Sequence, residues 1–114
     1  MAKPRILFIC TANINRSRTA EDLFKSSDKY EVQSAGFVIM SMSGQILTQE
    51  LVNWANRIFL MNEVEDGHLA KLNEGFDVSG KDVTVLNIRD IYNRGDNILV
   101  QLLLNKLASY GIDL

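Results

Sequence analysis

The sequence has 114 residues, 46% of them hydrophobic and 23% charged, with a net charge of −2. That size suits one domain, spanning residues 1–114, with one modest core, and no basic excess points to a nucleic-acid partner. The single cysteine, Cys10, excludes an internal disulfide and a multi-cysteine zinc site.

In chain order, Ile6-Leu7-Phe8-Ile9 is continuously apolar, as in a strand covered on both faces. The apolar run through Cys10 is too short for a signal-peptide core or a membrane span, so a soluble cytoplasmic protein without a membrane partner is expected. Residues 17–25 set Ala20, Leu23 and Phe24 on one helical face. Residues 30–33 read as a short second strand. Residues 46–54 carry Ile46, Leu47, Leu51 and Trp54 at helical spacing, and residues 57–61 form a third apolar strand. Residues 63–72 offer Val64, His68, Leu69 and Leu72 to a helix, with Asn62 as its cap. Residues 83–86 give a fourth strand. Asp96 caps a last helix over residues 97–110 that stops at Gly111. The one proline, Pro4, precedes all of these helices.

Strands alternating with helices predict an α/β fold, with a parallel sheet covered by helices on both faces. Ligands of such sheets bind beyond the carboxyl ends of the strands, here just after Ile9, Leu60 and Leu86. The first of these places is occupied by Cys10-Thr11-Ala12-Asn13-Ile14-Asn15-Arg16-Ser17. A short loop between a strand and a helix can curl its backbone N–H groups, from Thr11 to Ser17, around an anion, and the helix adds its positive dipole end. In that setting a cysteine thiolate, the reactive form, is stabilised. Arg16 brings a planar fork that can bind two phosphate oxygens. Ser17 can donate a hydrogen bond to the sulfur, and Asn13 can hold an unusual backbone angle. Asp90 follows the fourth strand and should lie over the same sheet edge as Cys10. A lone histidine builds no metal site, so His68 reads as structural or solvated, and Trp54 as core. Tyr92 either stacks on an aromatic substrate at the pocket rim or is an ordinary loop tyrosine.

Cys10, five residues, then Arg16-Ser17 resembles the signature loop of low-molecular-weight protein tyrosine phosphatases, closest to a short bacterial branch. The resemblance extends to Arg16-Ser17-Arg18-Thr19-Ala20-Glu21, Ser34-Ala35-Gly36, Ile58-Phe59-Leu60-Met61 and Ile88-Arg89-Asp90-Ile91-Tyr92. It implies a three-layer αβα domain with strand order 2-1-3-4. It also implies Cys10 as nucleophile, Arg16 as phosphate clamp, Asp90 as general acid, and Ser34 donating to Asn13. Phe37, Met40 and Met42 stand where relatives select substrate. Departures are Arg18, Arg89 and Ile91 at positions where prolines are usual, and Asn15 in place of a second cysteine.

The expected function is hydrolysis of phosphate monoesters, through a phosphocysteine, with no cofactor and no metal. Expected partners are a phosphotyrosine protein or a small phosphate monoester, with inorganic phosphate as product and the chain a monomer or weak dimer. Three alternatives stand beside it: a sugar-phosphotransferase cysteine carrier, an arsenate reductase drawing on an external thiol, and a phosphate-binding module without turnover.

Overall fold

The computed structural model describes residues 3–40 and 44–114. In chain order it contains β1 (Arg5–Cys10), α1 (Arg16–Phe24), β2 (Glu31–Gly36), α2 (Gln49–Trp54), β3 (Arg57–Leu60), α3 (His68–Gly75), β4 (Asp82–Val85) and α4 (Asn97–Ala108). The four strands form one sheet in the order β2-β1-β3-β4, and every neighbouring pair is parallel. Cys10 pairs with Gly36, and Ile9 with both Ala35 and Leu60, so the carboxyl ends of the three strands line up beside the first loop.

The continuous apolar run of β1 is explained by two cores, one on each face. Ile6, Phe8 and Cys10 point to one side, where they pack with Phe24 of α1 and Leu99, Leu103 and Leu107 of α4. Leu7 and Ile9 point to the other, where they meet Val52 of α2 and Leu72 of α3. Alternate strand residues face opposite sides, so a strand with helices on both faces must be apolar throughout. The two core faces thus give the three layers. Among the described residues, no helix is long and apolar enough to cross a membrane.

Several boundaries differ from the sequence expectation. β2 starts at Glu31 and runs on to Gly36, because it pairs with β1 along six residues. α2 begins at Gln49 instead of Ile46, because Thr48 is its cap and accepts from the Leu51 amide at 3.2 Å. Residues 45–47 lie alongside the end of β2, with Leu47 N donating to Gly36 O at 2.8 Å. α3 begins at His68, five residues later than expected. Asn62 does cap, but its Oδ1 accepts from Glu65 N and closes a separate turn that Gly67 ends at φ 62°. α4 finishes at Ala108, and Gly111 follows at φ 84° with Ile112 N bonded back to Leu107 O.

Gly36 is required by close approach. A Cβ there would sit 2.6 Å from Asn13 N, 2.7 Å from Ala12 C and 2.8 Å from Thr11 O, all backbone atoms. Gly36→Ala should therefore lower unfolding stability by about 1–3 kcal/mol and displace the loop. Gly75→Ala, where a Cβ meets nothing within 4 Å, should leave stability unchanged or raise it slightly. Urea midpoints of the two variants check this, and equal midpoints would refute it.

Candidate active site

The loop after β1 holds its shape through one side chain. Asn13 adopts φ 53°, the left-handed region that asparagine tolerates. Its Oδ1 accepts from Gln45 N at 2.8 Å, which fixes the amide's orientation. Its Nδ2 then donates to Ser17 Oγ at 2.8 Å and Ser34 Oγ at 2.9 Å. Ser17 Oγ also lies 3.0 Å from Cys10 Sγ. Having accepted from Asn13, the Ser17 hydroxyl has its own hydrogen for the sulfur. Ser34 corrects one expectation: it accepts from Asn13 and donates to Glu21 Oε1 at 2.8 Å. Asn13, Ser17 and Ser34 are all buried, as a structural brace beneath the loop.

Arg16, the first residue of α1, is 1% exposed. Its Nη1 donates to Asp66 Oδ2 at 2.9 Å and to Ile88 O at 2.8 Å. Its Nε has no hydrogen-bond partner among the described residues and lies 3.7 Å from Asp90 Oδ1. Cys10, Thr11, Ala12, Ile14, Asn15, Arg16, Met40 and Asp90 line one cavity of about 180 Å³. A sulfur, a buried cation with an uncommitted donor and a half-exposed carboxylate thus converge on a space with room for a small oxyanion and part of a group attached to it. Such a site can hold an oxyanion, offer it a nucleophile and exchange a proton with it.

The rim residues divide. Met40 is 72% exposed and lines the cavity. Phe37 and Tyr92, expected beside it, are absent from its wall. Phe37 packs on the α2/α3 core with its ring 5.5 Å from that of His68, and Tyr92 packs on the α1/α4 core. Met42 lies outside the described residues. Among the described residues, no three His, Cys, Asp or Glu side chains are grouped to hold a metal ion.

Asp66, which sequence reasoning did not single out, and His68, which it read as structural or solvated, support the site from behind its wall. His68 is fully buried. Its Nδ1 accepts from Asn62 N at 3.1 Å, so the ring proton is on Nε2, which faces Thr11 Oγ1 at 3.0 Å. Thr11 Oγ1 in turn reaches Asp66 Oδ1 at 3.3 Å. The chain from His68 through Thr11 ends on the carboxylate that holds Arg16. Burial, then the Arg16 charge, push the His68 pKa from 6.5 down to about 4. At Asp66 burial acts to raise the pKa, but the hydrogen bond and charge of Arg16 outweigh it and the carboxyl is held below 3.8. Both residues follow the end of β3, the edge where the topology already put ligands, and that position was the available signal.

The buried neutral ring has a consequence for pH. Unfolded His68 binds a proton below pH 6.5 while the folded ring resists it until about pH 4. Stability should therefore fall by about 1.4 kcal/mol per pH unit across that window as the pH is lowered. Asp66 adds its own loss only below its ordinary value of 3.8. Urea unfolding between pH 7 and 4 should show this slope, and His68→Gln should flatten it. An unchanged slope in that variant would show that the folded ring takes up its proton as readily as the unfolded one.

Comparisons with known proteins bear on the family and the fold. Residues 5–86 match the family described as low molecular weight phosphotyrosine protein phosphatase. Comparison with curated protein sequences finds no significant relative. Among solved structures, Vibrio vulnificus Wzb in complex with benzylphosphonate aligns with TM-score 0.72 and 19% identity, over 96% of this chain and 97% of that one. The tyrosine phosphatase Wzb from Escherichia coli K30 in complex with phosphate aligns with TM-score 0.71 and 22% identity, over 96% of both chains. A thioredoxin-dependent arsenate reductase from Corynebacterium glutamicum aligns with TM-score 0.66 and 17% identity, over 96% of this chain and 61% of that one. At these identities the likeness is one of fold, which the arsenate reductase shares. The family match covers most of the chain, and this protein belongs to the low molecular weight phosphotyrosine protein phosphatase family.

Proposed function

We propose that this chain hydrolyses phosphate monoesters, with phosphotyrosine in a protein as the substrate class, through a phosphocysteine on Cys10. The observation that carries the reading is the convergence of Cys10, Arg16 and Asp90 on one small cavity. The Cys10 thiolate attacks phosphorus, forming the S–P bond as the ester P–O bond breaks. Arg16 Nε and the amides of residues 11–17 stabilise the equatorial oxygens. Asp90, 53% exposed at the mouth, gives its proton to the departing oxygen. Water then attacks the phosphocysteine, Asp90 takes a proton from it, and the thiolate leaves with the Ser17 hydroxyl supporting its charge. Ile14 and Met40 provide an apolar wall that suits an aryl group.

The arsenate reductase fold neighbour gives a second reading some support. With one cysteine in the chain, that reaction would need an external thiol. Asp90 beside Arg16 favours ester hydrolysis, because arsenate reduction has no alkoxide or phenoxide to protonate.

Turnover of p-nitrophenyl phosphate with inhibition by vanadate is the test. Cys10→Ser should abolish turnover while retaining phosphate binding by calorimetry. Asp90→Asn should lower kcat on phenyl phosphate by about a hundredfold or more. Full activity of Cys10→Ser, or a wild-type protein inert to both esters, would overturn the reading.

A further inference from the structure

Asp90 sits in a loop, residues 86–96, that contains no proline. Something else must fix its course, and the tethers are visible on both sides of the carboxylate. On the far side, the Arg94 guanidinium grips Asp22 of α1 with both prongs, Nε to Oδ2 at 2.7 Å and Nη2 to Oδ1 at 2.8 Å. The Arg94 backbone N–H donates to Asn15 Oδ1 at 2.9 Å, inside the phosphate loop. Gly95, at φ 81°, donates its N–H to Thr19 Oγ1 at 3.0 Å. On the near side, Arg89 Nε meets Glu65 Oε1 at 2.9 Å.

Four of these five bonds end on Asn15 or α1, and α1 begins with Arg16 itself. The loop that carries the acid is therefore docked on the element that carries the phosphate clamp. An isolated exposed ion pair contributes little, but a two-pronged arginine–carboxylate pair flanked by two backbone bonds fixes position as well as charge. Each charge favours the other: the Arg94 hydrogen bond outweighs burial and lowers the Asp22 pKa, while the Asp22 hydrogen bond raises that of Arg94.

We infer that Arg94, bound to Asp22 and Asn15, is a positioning residue that aims Asp90 at the leaving group. The inference rests on the phosphatase reading above. It assigns Asn15 a definite task, linking the phosphate loop to the acid loop.

The test is a cycle of Arg94→Gln, Asp22→Asn and the double variant, assayed on two esters. Phenyl phosphate has a poor leaving group that needs the acid, and p-nitrophenyl phosphate a good one that needs it far less. Each variant should lose about tenfold in kcat/KM, which reports the first step alone, on phenyl phosphate but no more than about twofold on p-nitrophenyl phosphate. Vanadate inhibition should stay constant, and the double variant should be no worse than either single one. Equal losses on both esters, or none, would overturn the inference. Backbone hydrogen exchange over residues 87–96 reads the tether without turnover and should quicken in Arg94→Gln while α1 stays protected. Unchanged exchange there would overturn the inference whatever the assays give. A wild-type enzyme inert to both esters, with exchange altered as expected, would overturn the phosphatase reading and leave the tether standing.

Discussion

A guanidinium that is 1% exposed must find its counter-charge and acceptors inside the protein, and Arg16 finds them on two different segments. Asp66 comes from the turn after β3, and the Ile88 carbonyl and Asp90 both come from the loop after β4. Satisfying one buried cation thus draws the ends of β1, β3 and β4 together over the first turn of α1. The same contacts leave Nε without a hydrogen-bond partner among the described residues. Structure and chemistry at this edge follow from the same pairing.

The neighbouring sulfur is served by neutral groups. Asn13 accepts the strain of a positive φ and spends its amide on Ser17, Ser34 and the Gln45 backbone. That arrangement requires β2 to pass close under the loop, which Gly36 permits because it lacks a Cβ. The brace beneath Cys10 and the ion pairs around Arg16 are therefore separate supports. One is carried by hydrogen bonds between neutral side chains, the other by charge.

Much of this was legible in the sequence, and for identifiable reasons. The uninterrupted apolar run of β1 signalled a strand covered on both faces, and alternating elements signalled a parallel sheet. Those two inferences placed Cys10, Arg16 and Asp90 at one edge before any coordinates. The contacts of Asp66 and His68 were not legible, because they reach Thr11 and Arg16 across fifty residues or more. The helical periodicity over residues 63–72 misled there: Asn62 and Gly67 cut off a turn and start α3 at His68. Phe37 and Tyr92, both half-buried, lean against the two cores, which covers more ring surface than a place on the rim would.

The central claim is that Cys10 faces an anion-binding cup with Arg16 at its wall. Alkylation of the native protein tests it most directly, by comparing anionic iodoacetate with neutral iodoacetamide in the presence and absence of inorganic phosphate. The account predicts one equivalent of modification at Cys10, a preference for iodoacetate, and suppression by phosphate. A cysteine that reacts only after unfolding, or at a rate indifferent to phosphate, would contradict it.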